Sequence, residues 1–122
     1  MPKKILLVED EDLIVKVLSI RLENAGYKVE SAFDGNEGLE KARKNPPDLA
    51  IIDIGLPKID GNTLCELIKS NENTKKTRII MLTGRRLVGD METSFKSGAD
   101  IYVNKPYEWD RLLEKVQKLI GK

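Results

Sequence analysis

The chain has 122 residues, 21 Lys and Arg against 20 Asp and Glu, and a net charge of +1, so we expect one domain over residues 1–122 without direct nucleic-acid binding. Histidine is absent and Cys65 is the only cysteine, which excludes Ser-His and Cys-His catalytic pairs, a histidine metal site and an internal disulfide. No apolar run has the length of a membrane span and the first residues lead directly into a strand pattern, so we expect a cytoplasmic protein without membrane contact.

Five apolar runs of strand length follow one another along the chain, at residues 5–8, 27–32, 49–52, 79–82 and 101–103. The first, third and fourth runs are almost continuously apolar, which is typical of central strands covered on both faces. The second run alternates apolar and polar residues, which is typical of a strand at the edge of a sheet. Helical patterns separate the runs, and this alternation predicts an α/β fold with a doubly wound parallel sheet and helices on both faces.

The helical patterns between the runs have recognisable limits. The apolar face predicted for the first helix consists of Ile14, Val17, Leu18, Leu22 and Ala25. We expect Asp12 to cap this helix and Gly26 to end it. The second helix should begin at Asp34 or Gly35 and end before Pro46, and the third should follow Gly61. A weaker fourth pattern contains Met91 and Phe95, and a fifth runs to the C-terminus.

Polar residues stand where four of the five strands end. Glu9 and Asp10 follow the first strand, Asp53 ends the third, Thr83 the fourth, and Lys105 follows the fifth. Ligands of doubly wound sheets bind outside the carboxyl ends of the strands. Three carboxylates held close together repel one another, and a hard cation such as Mg²⁺ relieves this repulsion. Acids, a hydroxyl and an ammonium group around Mg²⁺ indicate phosphoryl chemistry.

Asp53 has two interpretations on the residues alone. Burying a lone carboxylate is costly, and an isolated Asp at a strand end is commonly a turn or cap residue. The accompanying groups favour instead a nucleophilic carboxylate whose charge is compensated by a metal and by Lys105. Asp60 is interpreted as a turn or cap residue, and Glu11 and Asp12 as acids at a helix start.

Four motifs in order resemble the receiver domain of bacterial two-component response regulators over the whole chain. They are VEDED at 8–12, DIGLPKIDG at 53–61, LTG at 82–84 and NKPY at 104–107. The resemblance implies the (βα)5 flavodoxin-like receiver fold, with a five-stranded sheet of order 2-1-3-4-5. It implies a phosphorylation-dependent signalling switch rather than an enzyme, catalysing only its own phosphoryl transfer and slow autodephosphorylation.

The resemblance also implies roles for single residues. Asp53 would accept a phosphoryl group from a phosphohistidine on a sensor histidine kinase or a histidine phosphotransfer protein. Asp10, Asp53 and the backbone carbonyl of Gly55 would hold Mg²⁺ or Mn²⁺, and Glu9 would act through a bound water. Lys105 would pair with the phosphoryl oxygens, and its bond to the following proline resembles the cis peptide of the family.

Thr83 and Tyr102 resemble the switch pair of the family. Phosphorylation would draw the Thr83 hydroxyl towards a phosphoryl oxygen, Tyr102 would turn inward, and the face formed by the fourth helix, fifth strand and fifth helix would be remodelled. Without the motif, Tyr102 would be interpreted as an ordinary half-buried aromatic residue. Gly55 and Arg85 occupy positions that tune the lifetime of the phosphoryl group in the family, but this pair does not predict the lifetime.

Ile101 stands where DNA-binding receivers often carry a second acid, which weakens the case for dimerisation through their salt bridges. If the chain is complete at residue 122, we expect it to act on a downstream protein target by direct contact; if it is a domain of a longer regulator, its output is open. Kinase specificity is expected, by similarity, on the first helix and the loop after the fifth strand, at Ile14, Val17, Leu18 and Tyr107.

Three other functions compete with the phosphorylated switch. A flavin-binding flavodoxin-like protein needs a hydroxyl-rich loop after the first strand, where VEDED would repel a phosphate. A phosphohydrolase with an aspartate nucleophile usually carries a second Asp where this chain has Gly55. A receiver-fold scaffold that is never phosphorylated is the third alternative, although no member of the acid, hydroxyl and ammonium set is missing.

Overall fold

Five parallel strands form one sheet in the structure, a computed structural model that describes residues 2–84 and 98–121. The strands are β1 (Lys4–Val8), β2 (Lys28–Ala32), β3 (Leu49–Asp53), β4 (Arg78–Thr83) and β5 (Ile101–Asn104). Their order is β2-β1-β3-β4-β5, which confirms the doubly wound α/β fold and the predicted strand order. The alternating strand β2 lies at an edge, as its pattern predicts.

Four helices lie within the described residues: α1 (Asp12–Asn24), α2 (Gly35–Lys44), α3 (Gly61–Ser70) and the C-terminal helix (Trp109–Ile120). The predicted fourth helix, with Met91 and Phe95, falls outside the described residues. None of the helices described here combines the length and apolar character needed to cross a membrane.

Acidic side chains begin two of these helices. The Asp34 carboxylate accepts the backbone N–H of Glu37 at 2.8 Å, and the Asp60 carboxylate accepts that of Thr63 at 2.9 Å. Both acids satisfy donors that the first helical turn leaves unpaired. At α1 the predicted cap is wrong by one residue. Glu11 occupies the N-cap position without a side-chain hydrogen bond, and Asp12 is the first helical residue.

Apolar side chains form one core layer on each face of the sheet, because successive strand residues point to opposite faces. The first layer joins the sheet to α1 and the C-terminal helix, and contains Ile5, Leu7, Leu22, Ile51, Ile80, Leu112 and Val116. The second layer joins it to α2 and α3, and contains Leu6, Val8, Ala42, Ile52, Leu64, Cys65, Ile68 and Met81. The central strands β1 and β3 are thereby held from both sides.

The buried face of α1 differs from the predicted one. Leu18 and Leu22 are buried as predicted, but Val17 is 44% exposed and Val15 lies in the core instead. Val15, Leu18 and Leu22 are spaced by three and four residues and so share one stripe. Apolar residues occur all round this helix, and their periodicity therefore left the orientation of the buried stripe ambiguous.

Candidate functional site

The parallel sheet brings the polar strand-end residues to one edge. Glu9 and Asp10 follow β1, Asp53 ends β3, Thr83 ends β4, and Lys105 follows β5. These four strands are consecutive neighbours in the sheet, and their pairing holds the carboxyl ends together. The backbone N–H of Glu9 also donates to the Ala32 carbonyl of β2 at 3.0 Å, which fixes the chain as it leaves the sheet.

Three carboxylates form an acidic cluster, which we define as Glu9, Asp10 and Asp53. Each offers one oxygen, and these oxygens lie within 4.8 Å of one another. Glu9 is 0% exposed and Asp53 is 9% exposed, whereas Asp10 faces solvent. Convergent carboxylate oxygens with one solvent-facing member suit a hard cation such as Mg²⁺, which takes oxygen ligands and keeps several waters.

The ammonium group of Lys105 lies between two of these acids. Its Nζ is 3.1 Å from Glu9 Oε1 and 3.3 Å from Asp53 Oδ2, and its side chain is 22% exposed. The Lys105-Pro106 peptide bond is cis, as the resemblance implies. The Lys105 ammonium thus partly neutralises both Glu9 and Asp53. Without it these carboxylates would be buried without a compensating charge, which is costly.

The surroundings of Glu9 in the acidic cluster raise its pKa. Burial and the negative charge of Asp53 raise the pKa of Glu9 from 4.5 to about 7, although Lys105 and the backbone N–H of Glu11 act in the opposite direction. Burial lowers the pKa of Lys105, but its hydrogen bond to Glu9 and the charges of both acids outweigh this effect and raise it. In the metal-free protein, Glu9 therefore exchanges a proton near neutral pH while Lys105 stays charged.

The loop after β3 keeps its backbone close to the cluster. The N–H of Gly55 donates to Asp53 Oδ1 at 3.2 Å, and the N–H of Ile54 donates to the Leu82 carbonyl at 2.9 Å. At the end of the loop, a Cβ on Gly61 would lie 2.5 Å from the Asp53 carbonyl oxygen, so this position has no room for a side chain. The loop therefore returns tightly across the end of its own strand.

The predicted switch residues lie on neighbouring strands. Thr83 is fully buried, and its carbonyl accepts the backbone N–H of Lys105. Tyr102 is half-buried and packs against the second core layer. The end of β4 is therefore joined to Lys105 by a backbone hydrogen bond. Arg85, predicted to tune the phosphoryl lifetime, falls outside the described residues.

A groove of about 350 Å³ lies beside the site, between α1 and the loop after β5. Its lining residues are Leu13, Ile14, Val17, Leu18, Arg21, Tyr107 and Trp109. Ile14, Val17 and Tyr107 belong to the predicted kinase-docking surface, but Leu18 is only 3% exposed and offers almost no area to a partner. Leu13, which is 73% exposed, was missed because apolar residues occur all round α1 and the sequence does not show which of them face solvent.

Comparisons with known proteins agree with this geometry. Residues 5–117 match the family model described as the response regulator receiver domain. The DNA-binding dual master transcriptional regulator RpaA of Synechocystis is 39% identical over 98% of this chain but only 49% of its own length. The polar-differentiation response regulator DivK of Brucella anthropi is 31% identical over 99% of this chain and 98% of its own. The chain spans about half the length of the first curated relatives it matches.

Two solved structures are similar over nearly the whole chain. Chemotaxis protein CheY4 of Vibrio cholerae has a TM-score of 0.92 and 32% identity, covering 98% of this chain and 100% of that one. The receiver domain of a sensor histidine kinase from Pseudomonas aeruginosa PAO1, with a magnesium ion coordinated in its active site cleft, has a TM-score of 0.91 and 32% identity over 100% of both chains. The chain therefore belongs to the receiver domains of two-component response regulators.

Proposed function

We propose that this receiver domain is a phosphorylation-dependent switch of a two-component or phosphorelay system, with Asp53 as the phosphoacceptor. One observation carries the proposal: the Lys105 ammonium group contacts both Glu9 and Asp53 at the end of a central strand, with Asp10 close by. A nucleophilic carboxylate needs compensation of its own charge and of the charge that arrives with the phosphoryl group, and this arrangement supports both.

The transfer itself makes one bond and breaks one. An Asp53 carboxylate oxygen attacks the phosphorus of a phosphohistidine on a sensor histidine kinase or a histidine phosphotransfer protein. The P–N bond breaks, an acyl phosphate forms on Asp53, and the released imidazole nitrogen takes up a proton. Because the transferring group spreads negative charge over its oxygens, the protein contributes mainly by positioning and by charge neutralisation.

Asp10, Asp53 and the backbone carbonyl of Gly55 would hold Mg²⁺ or Mn²⁺, with Glu9 acting through a bound water. When bound, the cation would supply positive charge that offsets the charge of the transferred phosphoryl group. Support for this ligand set comes from the convergence of the carboxylate oxygens within 4.8 Å and from the Gly55 N–H bonded to Asp53. Lys105 would exchange its contact with Asp53 for a contact with a phosphoryl oxygen, which is a charge-assisted hydrogen bond of the strong kind.

Binding of Mg²⁺ is expected to tighten as the pH rises through about 7. The metal favours the ionised form of Glu9, whose pKa in the metal-free protein is about 7, so binding below this pH must displace a proton. From pH 6 to pH 8 the apparent affinity should rise about tenfold, measured by calorimetric titration. In the Glu9→Gln variant the affinity should be nearly independent of pH, and an unchanged pH dependence there would contradict the role of Glu9.

The switch would begin at Thr83, whose hydroxyl binds a phosphoryl oxygen, and continue to Tyr102 on the neighbouring strand. Thr83→Ala is expected to accept the phosphoryl group normally but to lose most of the response of β5 and the C-terminal helix, because the variant has no hydroxyl to draw inward. The response is measured as the change in amide chemical shifts on adding beryllium fluoride and Mg²⁺.

The matched control for this prediction is Thr77→Ala. Thr77 is also a buried threonine, but it precedes β4 and its hydroxyl donates to the Pro47 carbonyl at the opposite end of the sheet. This variant should lose stability and keep the full shift response. A full response in Thr83→Ala would contradict the proposed switch.

The groove between α1 and the loop after β5 supports docking of the phosphodonor partner. Its lining is mostly apolar, and Tyr107 is shared with a second pocket that Lys105 lines. Arg21 also lines the groove, with its guanidinium 5.6 Å from the centre of the Trp109 ring. A downstream protein target would recognise the remodelled face that contains β5 and the C-terminal helix.

Intact-mass spectrometry after incubation with a small acyl-phosphate donor, with and without Mg²⁺, tests the proposed function. One Mg²⁺-dependent phosphoryl group per chain is the expected result. Mg²⁺ binding without any adduct would favour the scaffold, and continuous consumption of the donor without adduct would favour a phosphohydrolase.

A further inference from the structure

The loop of residues 54–60, which carries Gly55, rests against the beginning of α2. The N–H of Gly35 faces the Pro57 carbonyl at 3.4 Å, and the Lys58 ammonium lies 3.7 Å from the Asp34 carboxylate. A Cβ built on Gly35 would lie 2.1 Å from the backbone oxygen of Ile59 and 2.6 Å from its Cβ. The nearest atom is a backbone oxygen, and a Cβ moves only with its backbone, so these atoms give way only if the loop moves.

We propose that Gly35 is a positioning residue for the magnesium site: its missing side chain lets this loop seat on α2 and thereby fixes the Gly55 carbonyl beside Asp53. The proposal rests on the proposed function, in which that carbonyl is a metal ligand. Mutation of groups that orient a metal ligand typically costs about 10–100-fold in metal affinity.

Local conformation does not explain the glycine. Gly35 is the first residue of α2 and does not have a positive φ, so any L-residue could adopt its backbone angles. The helix start is already satisfied by the Asp34 carboxylate, which accepts the N–H of Glu37. Glycine also lowers helix stability relative to alanine. Only the close approach of Ile59 requires the absence of a side chain.

The loop has anchors besides this contact with α2, since Leu56 is buried in the second core layer. The ends of the loop are tied together, because the Gly61 N–H donates to the Ile54 carbonyl at 3.1 Å. Between them, Lys58 has a φ of 68°, which makes a tight turn, and Ile59 packs against the second core layer. An alanine at position 35 would push the loop away from α2, and the connected segment that includes Gly55 would shift with it.

Calorimetric titration of the metal-free protein with Mg²⁺ tests the proposal. For Gly35→Ala we expect the Kd for Mg²⁺ to rise about tenfold or more, the loss typical of a disturbed outer ligand shell. Phosphorylation by an acyl-phosphate donor should then need correspondingly more Mg²⁺ and recover at saturating metal. The amide resonance of Gly55 should shift in the variant even without metal.

Gly38→Ala is the matched control, since it makes the same substitution in the same helix. A Cβ there would meet the Val8 methyl groups at 3.1 Å and a Leu64 methyl at 3.3 Å, which are side chains of the core and not the loop. Its stability should change while its Kd for Mg²⁺ stays at the wild-type value. Equal weakening in both variants would overturn the proposal.

A second variant keeps the test decisive if Gly35→Ala does not fold. Ile59→Ala removes the side chain that packs the loop onto the core, and it should also raise the Kd for Mg²⁺ several-fold. If Gly35→Ala and Ile59→Ala, or whichever of them folds, bind Mg²⁺ with the wild-type Kd, the positioning role of Gly35 is overturned. The proposed function would then still stand. Failure of the wild-type protein itself to bind Mg²⁺ would overturn the metal site, and the positioning role with it.

Discussion

The Asp53→Asn variant is expected to gain no phosphoryl group from an acyl-phosphate donor, at any Mg²⁺ concentration, while keeping its fold. A neutral amide is a poor nucleophile and lacks the charge that attacks phosphorus, so removal of a covalent nucleophile costs several orders of magnitude in rate. The substitution keeps the shape of a residue that is only 9% exposed, so packing is preserved. Intact-mass spectrometry beside the wild-type protein measures the result.

Stability should survive this substitution because Asp53 repels Glu9. The negative charge of Asp53 helps to raise the pKa of Glu9, and its removal relieves that repulsion. Asp60→Asn is the matched control, since Asp60 caps α3 from the same loop and asparagine is an equally good N-cap. This control should take up one phosphoryl group like the wild type. A phosphoryl adduct on the Asp53→Asn variant would overturn the assignment of Asp53 as the phosphoacceptor.

The Lys105→Met variant is expected to lose about 2 kcal/mol of unfolding free energy at pH 8 in the absence of metal. Breaking a buried ion pair commonly costs about 3–5 kcal/mol, and we lower this value to about 2 kcal/mol because Lys105 is 22% exposed. At pH 8 Glu9, which is 0% exposed, would either hold its charge without its cation or take up a proton from solution, and both cost free energy. Methionine retains the length of the side chain, so the loss reports mainly on charge.

The loss should be smaller at pH 5. Glu9 has a folded pKa of about 7, above its ordinary 4.5, so the folded chain binds the proton more tightly than the unfolded chain. Stability from this group is therefore greatest at low pH and falls as the pH rises from about 4.5 to about 7. Without Lys105 the pKa of Glu9 rises further, because the lysine lowers it.

Urea unfolding at pH 5 and pH 8 measures both effects. Lys75→Met is the control, since the Lys75–Glu72 pair is exposed and such pairs contribute about 0–1 kcal/mol. Adding Glu9→Gln to Lys105→Met should restore much of the stability at pH 8. An equal loss at both pH values would show that the lysine acts by packing and not through the charge of Glu9.

The sequence predicts the positions of the strand-end groups because a parallel sheet aligns the ends of its apolar runs. Asp53 and Thr83 each end an almost continuously apolar run, so their place at one edge follows from topology alone. The N-cap of α2 was predictable for a similar reason, since Asp34 and Glu37 lie within one turn and their interaction is local.

Features that depend on distant parts of the chain were not predictable. The exposed position of Val17 depends on the orientation of α1 against the sheet, which an apolar residue pattern all round a helix leaves open. The contact between Gly35 and Ile59 joins backbone segments 24 residues apart, 59 minus 35, and neither residue type signals it. The raised pKa of Glu9 depends on the burial of its side chain, which the strand pattern alone does not give.

The order of the strands has an evolutionary consequence. The acids stand at the ends of β1 and β3, in the interior of the sheet, whereas Tyr102 stands on β5, which among the described strands pairs with β4 alone. Substitutions along the outer side of β5, before Lys105, can therefore accumulate without disturbing the three carboxylates. During evolution, the surface of β5 could therefore come to bind different partner proteins while the acidic cluster stays the same.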